Sequence, residues 1–433
     1  MPNSLNRRRF IQSSIAAGTA ASATLIPLSA PAATRNATNS AKKKMAIVTT
    51  TWWERSHAWH MATRFLVGYP NGGKWVHPEI DVVSAYVDQV KDNDLSHRRA
   101  KEFGFNIYPT VAEAVRNGKD KIDVDCVLLI GEHGDYEKNA YGQKLYPRYR
   151  LFNGITDVFR ADGNSVPVFN DKHLSWNFEW AQDMVTQSEQ LGFPLLAGSS
   201  LPVTWRMPSI EMPYGAEVEE ALIVAYGGTD IYDFHALETL QCMLERRKGG
   251  ETGVHSIHAV RGVDVWRMLD KGSFANGGWS GELFEACLSR SQTLAQSNNF
   301  SHRYPSRQQF PEFVTDPIAY RIIYRDGTRA TMLLLNGLVT DFTFAAKLRR
   351  RKTPLSTLFY LPPNPNVVYS AALMDNAKQM FMTGKAPYNV KRTLLTSGMV
   401  QSALTSLHLG QTLQTPHLDV EYIAERKSSF YRN

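Results

Sequence analysis

Residues 169–202, FNDKHLSWNFEWAQDMVTQSEQLGFPLLAGSSLP, decide how the rest of the chain is read. The segment opens as a short strand ending in Asp171-Lys172-His173, continues as an amphipathic helix, and returns as an apolar strand at Leu195 and Leu196. Trp176, Trp180, Met184, Val185 and Leu191 recur at roughly helical spacing, and Gly192 with Pro194 ends the helix. A lysine at the carboxyl end of a buried strand, beside a crossover helix, stands where open α/β sheets hold their ligands. The plain alternative is a solvated loop lysine.

Toward the N-terminus the same alternation recurs. A strand over 45–51 leads to a helix over 56–66 capped by Ser56, and a strand over 80–87 ends at Asp88. A helix over 96–103, a brief strand at Ile107-Tyr108 and a short helix capped by Thr110 follow. Residues 123–130, DVDCVLLI, form a near-continuous apolar run, as a parallel strand buried on both faces requires, and run directly into Gly131-Glu132-His133-Gly134-Asp135. The pattern predicts an α/β, Rossmann-like doubly wound parallel sheet over 45–200. From 201 to 433, strands at 221–226, 319–323 and 328–336, the last two joined at Asp326-Gly327, accompany helices at 233–247, 368–383 and 390–409. These predict an α+β domain with a mostly antiparallel sheet, serving substrate binding or oligomerisation. Arg349-Arg350-Arg351-Lys352 reads as a solvated loop.

With 433 residues, 43% of them hydrophobic, the chain can build two domains with real cores. Asn6-Arg7-Arg8-Arg9-Phe10-Ile11-Gln12, an Ala-rich stretch to Ile26 and Ala30-Pro31-Ala32 look like a twin-arginine signal peptide over 1–32, with a flexible linker over 33–44. That segment predicts a periplasmic or other extracytoplasmic location. Beyond it no apolar run of about 18 residues predicts a membrane span. Removing its three arginines lowers the net charge from +7 to +4, too slight and dispersed for nucleic acid. Cys126, Cys242 and Cys287 are odd in number and far apart, and read as core residues.

Taken in order, several of these segments resemble the glucose-fructose oxidoreductase, inositol dehydrogenase and related (Gfo/Idh/MocA) family. The run from Asp88 through RRAKEFGFNIYPTVAEAV to DVDCVLLIGEHGDY is similar to the family's second to fourth strands. Asp171-Lys172-His173 resembles its Glu-Lys-Pro motif, and Gly227-Gly228 through Tyr232-Asp233-Phe234-His235-Ala236-Leu237 its Gly-Gly, Asp and His helix. Gly384-Lys385-Ala386-Pro387, Ser406-Leu407-His408 and Thr415-Pro416 resemble its C-terminal end. The resemblance implies NAD or NADP as cofactor, a carbohydrate or polyol as substrate, and a homo-oligomer paired through the open face of the second sheet. Lys172, His235 and Asp233 would be catalytic, with His235 as general base and Lys172 stabilising the alkoxide. Thr50, Trp52, Asp88, Glu132, His133 and Lys172 would contact the cofactor, Asp88 through the adenosine ribose.

The first turn departs from that pattern. A dinucleotide fold needs glycines after its first strand so that the backbone can approach the pyrophosphate, and Thr49-Thr50-Thr51-Trp52-Trp53-Glu54-Arg55 has none. Two alternatives use the same scaffold. His57 and His60 share a helical face, and with Glu132, His133 and Asp135 they could hold a divalent metal for a metal-assisted carbohydrate hydrolase or lyase. A noncatalytic sugar-binding protein is the other.

Overall fold

The computed structural model describes residues 42–298, 303–362 and 366–432. The twin-arginine segment and linker residues 33–41 lie outside them. The first strand starts at Lys43, so the last two residues of the expected linker are already paired.

Six strands form the first sheet: β1 (Lys43–Thr49), β2 (Ile80–Val87), β3 (Asn106–Ile107), β4 (Cys126–Ile130), β5 (Val168–Asp171) and β6 (Leu195–Gly198). They are all parallel and lie in the order β3-β2-β1-β4-β5-β6, the doubly wound arrangement. Alternate residues of β1 and β4 enter two different cores. Met45, Ile47, Cys126 and Leu128 pack with α1 (His57–Val67), whereas Ala46, Val48, Val127 and Leu129 pack with α3 (Val111–Arg116), α4 (Arg148–Asp162) and α5 (Phe178–Gln190). Both faces are therefore covered, which is why these strands read as unbroken apolar runs. α2 (Ser96–Phe103) lies against the edge at β3. Ser56 caps α1 by accepting from the Trp59 N–H at 3.2 Å, as its sequence position predicts.

The second sheet has eight strands: β7 (Arg206–Met207), β8 (Val218–Ala225), β9 (Val254–Arg261), β10 (Ile318–Tyr324), β11 (Arg329–Leu334), β12 (Phe342–Leu348), β13 (Leu355–Phe359) and β14 (Leu413–Gln414). Their order is β14-β9-β10-β11-β8-β12-β13-β7, antiparallel except for the β8/β11 pair. β10 and β11 form the hairpin expected at Asp326-Gly327. Here too both faces are occupied. Ala221, Ile223 and Ala225 of β8 pack with α6 (Tyr232–Leu244), while Leu222 and Val224 pack with α7 (Val263–Lys271), α8 (Gly281–Arg290) and α9 (Gln309–Phe313). The sheet face through which the resemblance implies subunit pairing is thus covered by the chain's own helices.

The last two helices pack back on earlier helices of the chain. α10 (Tyr369–Thr383) packs on α1, with Phe65 and Phe381 rings 6.2 Å apart, and α11 (Lys391–Leu409) lies between α5, α6 and β9. Two details of the opening segment differ from expectation. α5 begins at Phe178, leaving Trp176 outside it, and Trp180 is 37% exposed, stacked on Tyr149 at 5.0 Å instead of entering the core. All three cysteines are free and buried.

Candidate active site

The carboxyl ends of β4, β5 and β6 meet the N-termini of α1, α6 and α10 around a cavity of about 200 Å³. Glu132 and His133 arrive from β4, Asp171 and Lys172 from β5, Ser199 and Ser200 from β6, His57 from α1, Tyr232 and His235 from α6, and Tyr369 from α10. This is the crevice in which open α/β sheets bind ligands. A larger groove of about 830 Å³, between α10 and residues 425–432, carries none of these groups.

Lys172 is buried, and its backbone is left-handed at φ 66°, anchored by donation of its N–H to the Gly198 carbonyl at 3.1 Å. In an ordinary strand Asp171 and Lys172 would face opposite sides. The left-handed residue turns both to the same cavity. His133 at φ 71° and Asp230 at φ 65° share this uncommon conformation, which clusters at functional sites.

Two acid–base pairs result. Lys172 Nζ lies 2.5 Å from His235 Nε2. Burial first, and then the Lys172 charge, hold His235 well below the usual imidazole range, so His235 is neutral and Nε2 accepts from the ammonium. Burial also lowers Lys172, while Glu132 and Asp171 oppose it. The second pair is His57 and Asp171, with Nδ1 to Oδ2 at 2.5 Å. Burial and then Lys172 keep His57 neutral, so its Nδ1–H donates to the carboxylate and Nε2 is left as an acceptor. Burial pushes Asp171 up to about 6. Behind both pairs, Arg148 of α4 donates to Glu132 in a fully buried ion pair. Burial is the largest influence on Glu132 and raises it, but the charges of Arg148, Lys172 and His57 together leave the carboxyl below its ordinary value. Four buried polar atoms on the lining residues have no protein partner: His133 Nε2, Asp171 Oδ1, Ser199 Oγ and His235 Nδ1. Buried polar groups are normally satisfied, and these four lie beside the cavity without a partner among the described residues.

The sequence-derived site divides. Lys172, His235, Glu132, His133 and His57 line the cavity. Asp233 does not: it accepts from Tyr320 Oη at 3.0 Å and from the Phe234 N–H, anchoring the start of α6, and burial raises it to about 6. His60 sits behind His57, its ring 5.7 Å from Tyr369. Asp135 is exposed and paired with Lys91. Among the described residues no group of three His, Cys, Asp or Glu side chains converges to hold a metal ion, because Glu132 is bound to Arg148 and Asp135 points to solvent.

The groups expected to hold a dinucleotide are engaged by the chain itself. Trp52 is 1% exposed and stacks on Phe105 in the core. Thr50 Oγ1 donates to the Glu132 carbonyl at 2.6 Å. Asp88 accepts from Tyr86 Oη, Tyr136 Oη and Arg150 Nη2 at 2.7, 2.7 and 2.6 Å, which takes three of the roughly four acceptor positions of its carboxylate. At the start of α1, where a pyrophosphate would lie, stands the His57–Asp171 pair. These residues do not fit NAD or NADP in the expected pose.

No family model matches the chain, and no curated protein matches it. Solved structures do. The scyllo-inositol dehydrogenase from Lactobacillus casei with bound NAD(H) and scyllo-inositol has a TM-score of 0.51 at 11% identity, covering 86% of this chain and 99% of that one. The fold is that of these dehydrogenases. A probable dehydrogenase from Thermotoga maritima (0.52, 9%, covering 87% and 99%) and GenD2 from gentamicin A biosynthesis in complex with NAD (0.51, 11%, covering 90% and 99%) are similarly alike. The fold class expected from the sequence is the one observed.

Arg148, Asp171, Ser199 and Tyr369 were not singled out as site residues. Asp171 had a signal in its place next to Lys172. Arg148 had a weaker one, since Leu151, Phe152, Ile155, Val158 and Phe159 carry a helical period through a stretch interrupted by Gly154.

Proposed function

We propose that this protein is an enzyme acting on a small sugar or polyol, at a carbon bearing a hydroxyl or carbonyl group, with Lys172 and His235 at the reacting oxygen. The observation that carries this reading is the Lys172–His235 pair on the wall of a small cavity with unpartnered polar atoms around it. The cavity is smaller than the roughly 300–1000 Å³ of sites for drug-sized ligands and suits one small polar molecule. The ammonium stabilises negative charge on an alkoxide or enolate oxygen, and the neutral imidazole holds that ammonium in place. Hydride exchange with NAD(P) is the reaction that the resemblance implies, and the inositol dehydrogenase fold supports it. The side chains at the first turn, engaged by the chain itself, do not.

We also propose export by the twin-arginine route, on the strength of Arg7-Arg8-Arg9-Phe10 and the Ala-rich stretch after it. Replacing Arg7 and Arg8 by lysine is expected to leave the protein in the cytoplasm.

Scyllo-inosose, the ketone of scyllo-inositol, is a suitable probe of the main reading. It is expected to raise the melting temperature of the wild type, and His235→Ala to weaken that shift. If neither scyllo-inosose nor scyllo-inositol moves the transition, the polyol reading falls.

A further inference from the structure

The disagreement between a dehydrogenase fold and a nucleotide side closed by its own side chains has a chemical counterpart in the cavity. In hydride transfer the cofactor takes the carbon-bound hydrogen, and the protein needs acid–base groups only at oxygen. This cavity holds a second couple, His57 and Asp171, beside Lys172–His235. The carboxylate fixes the imidazole with Nδ1–H engaged and Nε2 free to take a proton, the orienting role an aspartate plays for a histidine base. Lys172 supplies the complementary group, a buried cation for the oxygen on which charge develops. Because Asp171 and Lys172 are consecutive and the left-handed backbone at Lys172 brings both to one side, the two couples are held in a fixed relation.

We propose that His57 removes a proton from the carbon next to the carbonyl of a bound keto sugar or keto polyol, so that the site enolises its substrate without a nucleotide. This rests on the sugar or polyol reading of the same cavity. In the step, the C–H bond breaks and its proton goes to His57 Nε2. The C–H electron pair forms the carbon–carbon double bond of the enolate, and the carbonyl π pair moves onto oxygen beside Lys172. Return of the proton to carbon completes the cycle with no net oxidation, and no oxidant or reductant is required. The pyrophosphate position is then taken up by the base and its carboxylate, which accounts for a first turn without glycine.

Exchange of hydrogen for deuterium at the carbons flanking the ketone tests this. The full-length protein, freed of nucleotide by unfolding and refolding or shown to carry none by absorbance, is incubated with scyllo-inosose in D₂O and followed by proton NMR. The expected result is exchange above the protein-free rate, reduced about 10²–10⁴-fold in His57→Gln, with the melting shift given by scyllo-inosose retained. Asp171→Asn, which keeps the shape but loses the carboxylate, is expected to reduce exchange as well. Binding without exchange, exchange that requires added NAD or NADP, or exchange undiminished in a folded His57→Gln overturns the enolisation and leaves the polyol reading standing. Absence of any scyllo-inosose shift overturns both.

Discussion

Arg148 shows what a single buried charge demands. Its guanidinium is fully buried, donates to Glu132 and lies 4.9 Å from the Tyr146 ring centroid. Removing one member of such a pair strands the other, at a cost of about 3–5 kcal/mol. Arg148→Met is therefore expected to lower stability by that amount in denaturant unfolding, and Arg148→Met with Glu132→Gln to recover part of it. Asp230 gives a pH signature. Burial raises it from 3.8 to about 7, so the folded chain holds its proton more tightly than the unfolded chain. That contribution is present below about pH 4 and lost as pH rises through 7. Asp230→Asn keeps an acceptor for the Lys144 N–H and tolerates the left-handed backbone. It is expected to gain on the wild type by about 2–3 kcal/mol between pH 5 and pH 8, read as the difference between their unfolding free energies. At this scale the sequence was informative about which residues have chemistry, less so about their partners. Lys172 and His235 could be named from spacing and resemblance, but Asp233 and His235 share a helix turn, and only packing sends one to Tyr320 and the other to Lys172.

The helices were legible wherever an apolar period was clean. α1, α2, α3, α10 and α11 lie within a residue or two of their expected ends, since caps and apolar faces are local properties. α4 was not anticipated, and with it went Arg148 and Arg150, the residues that occupy Glu132 and Asp88. Arg150 of that helix is the partner of Asp88 that the sequence did not announce, since what a carboxylate pairs with depends on what the next helix brings to it. α11 offers a test of close packing. A Cβ at Gly398 would stand 2.3 Å from Leu418 Cδ2 and 2.6 Å from Phe178 Cδ2. Alanine gains about 1 kcal/mol of helix propensity, and overpacking costs about 1–3 kcal/mol. Gly398→Ala is expected to be net destabilising, by up to about 2 kcal/mol in denaturant titration, where propensity alone gives the opposite sign.

Across the molecule, two sheets joined by α11 place the cavity at the ends of β4 to β6, and the same fold in dehydrogenases of known structure carries NAD(H). The first sheet of this chain is the doubly wound one, and the groups at its first turn are engaged by the chain itself. Added NAD or NADP is expected to leave the melting temperature unchanged, whereas a ligand at 100 times its Kd stabilises by about 2.7 kcal/mol. The parallel, doubly wound class was legible because α/β alternation implies parallel strands with helices on both faces. The covering of the second sheet by α7, α8 and α9 was not, because three short helices spread through 263–313 give little sign of which face they meet.

The return of α10 to α1 also bears on when the molecule can fold during synthesis. The core under β1 and α1 includes Ala371, Leu373, Met374, Ala377, Phe381 and Tyr431, so it cannot close until nearly the whole chain has left the ribosome. Domains commonly fold in order as they emerge. Here the opening segment must wait with Met61 and Phe65 uncovered, and a chain stopped near residue 360 would carry that apolar face into solution as a target for chaperones and proteases.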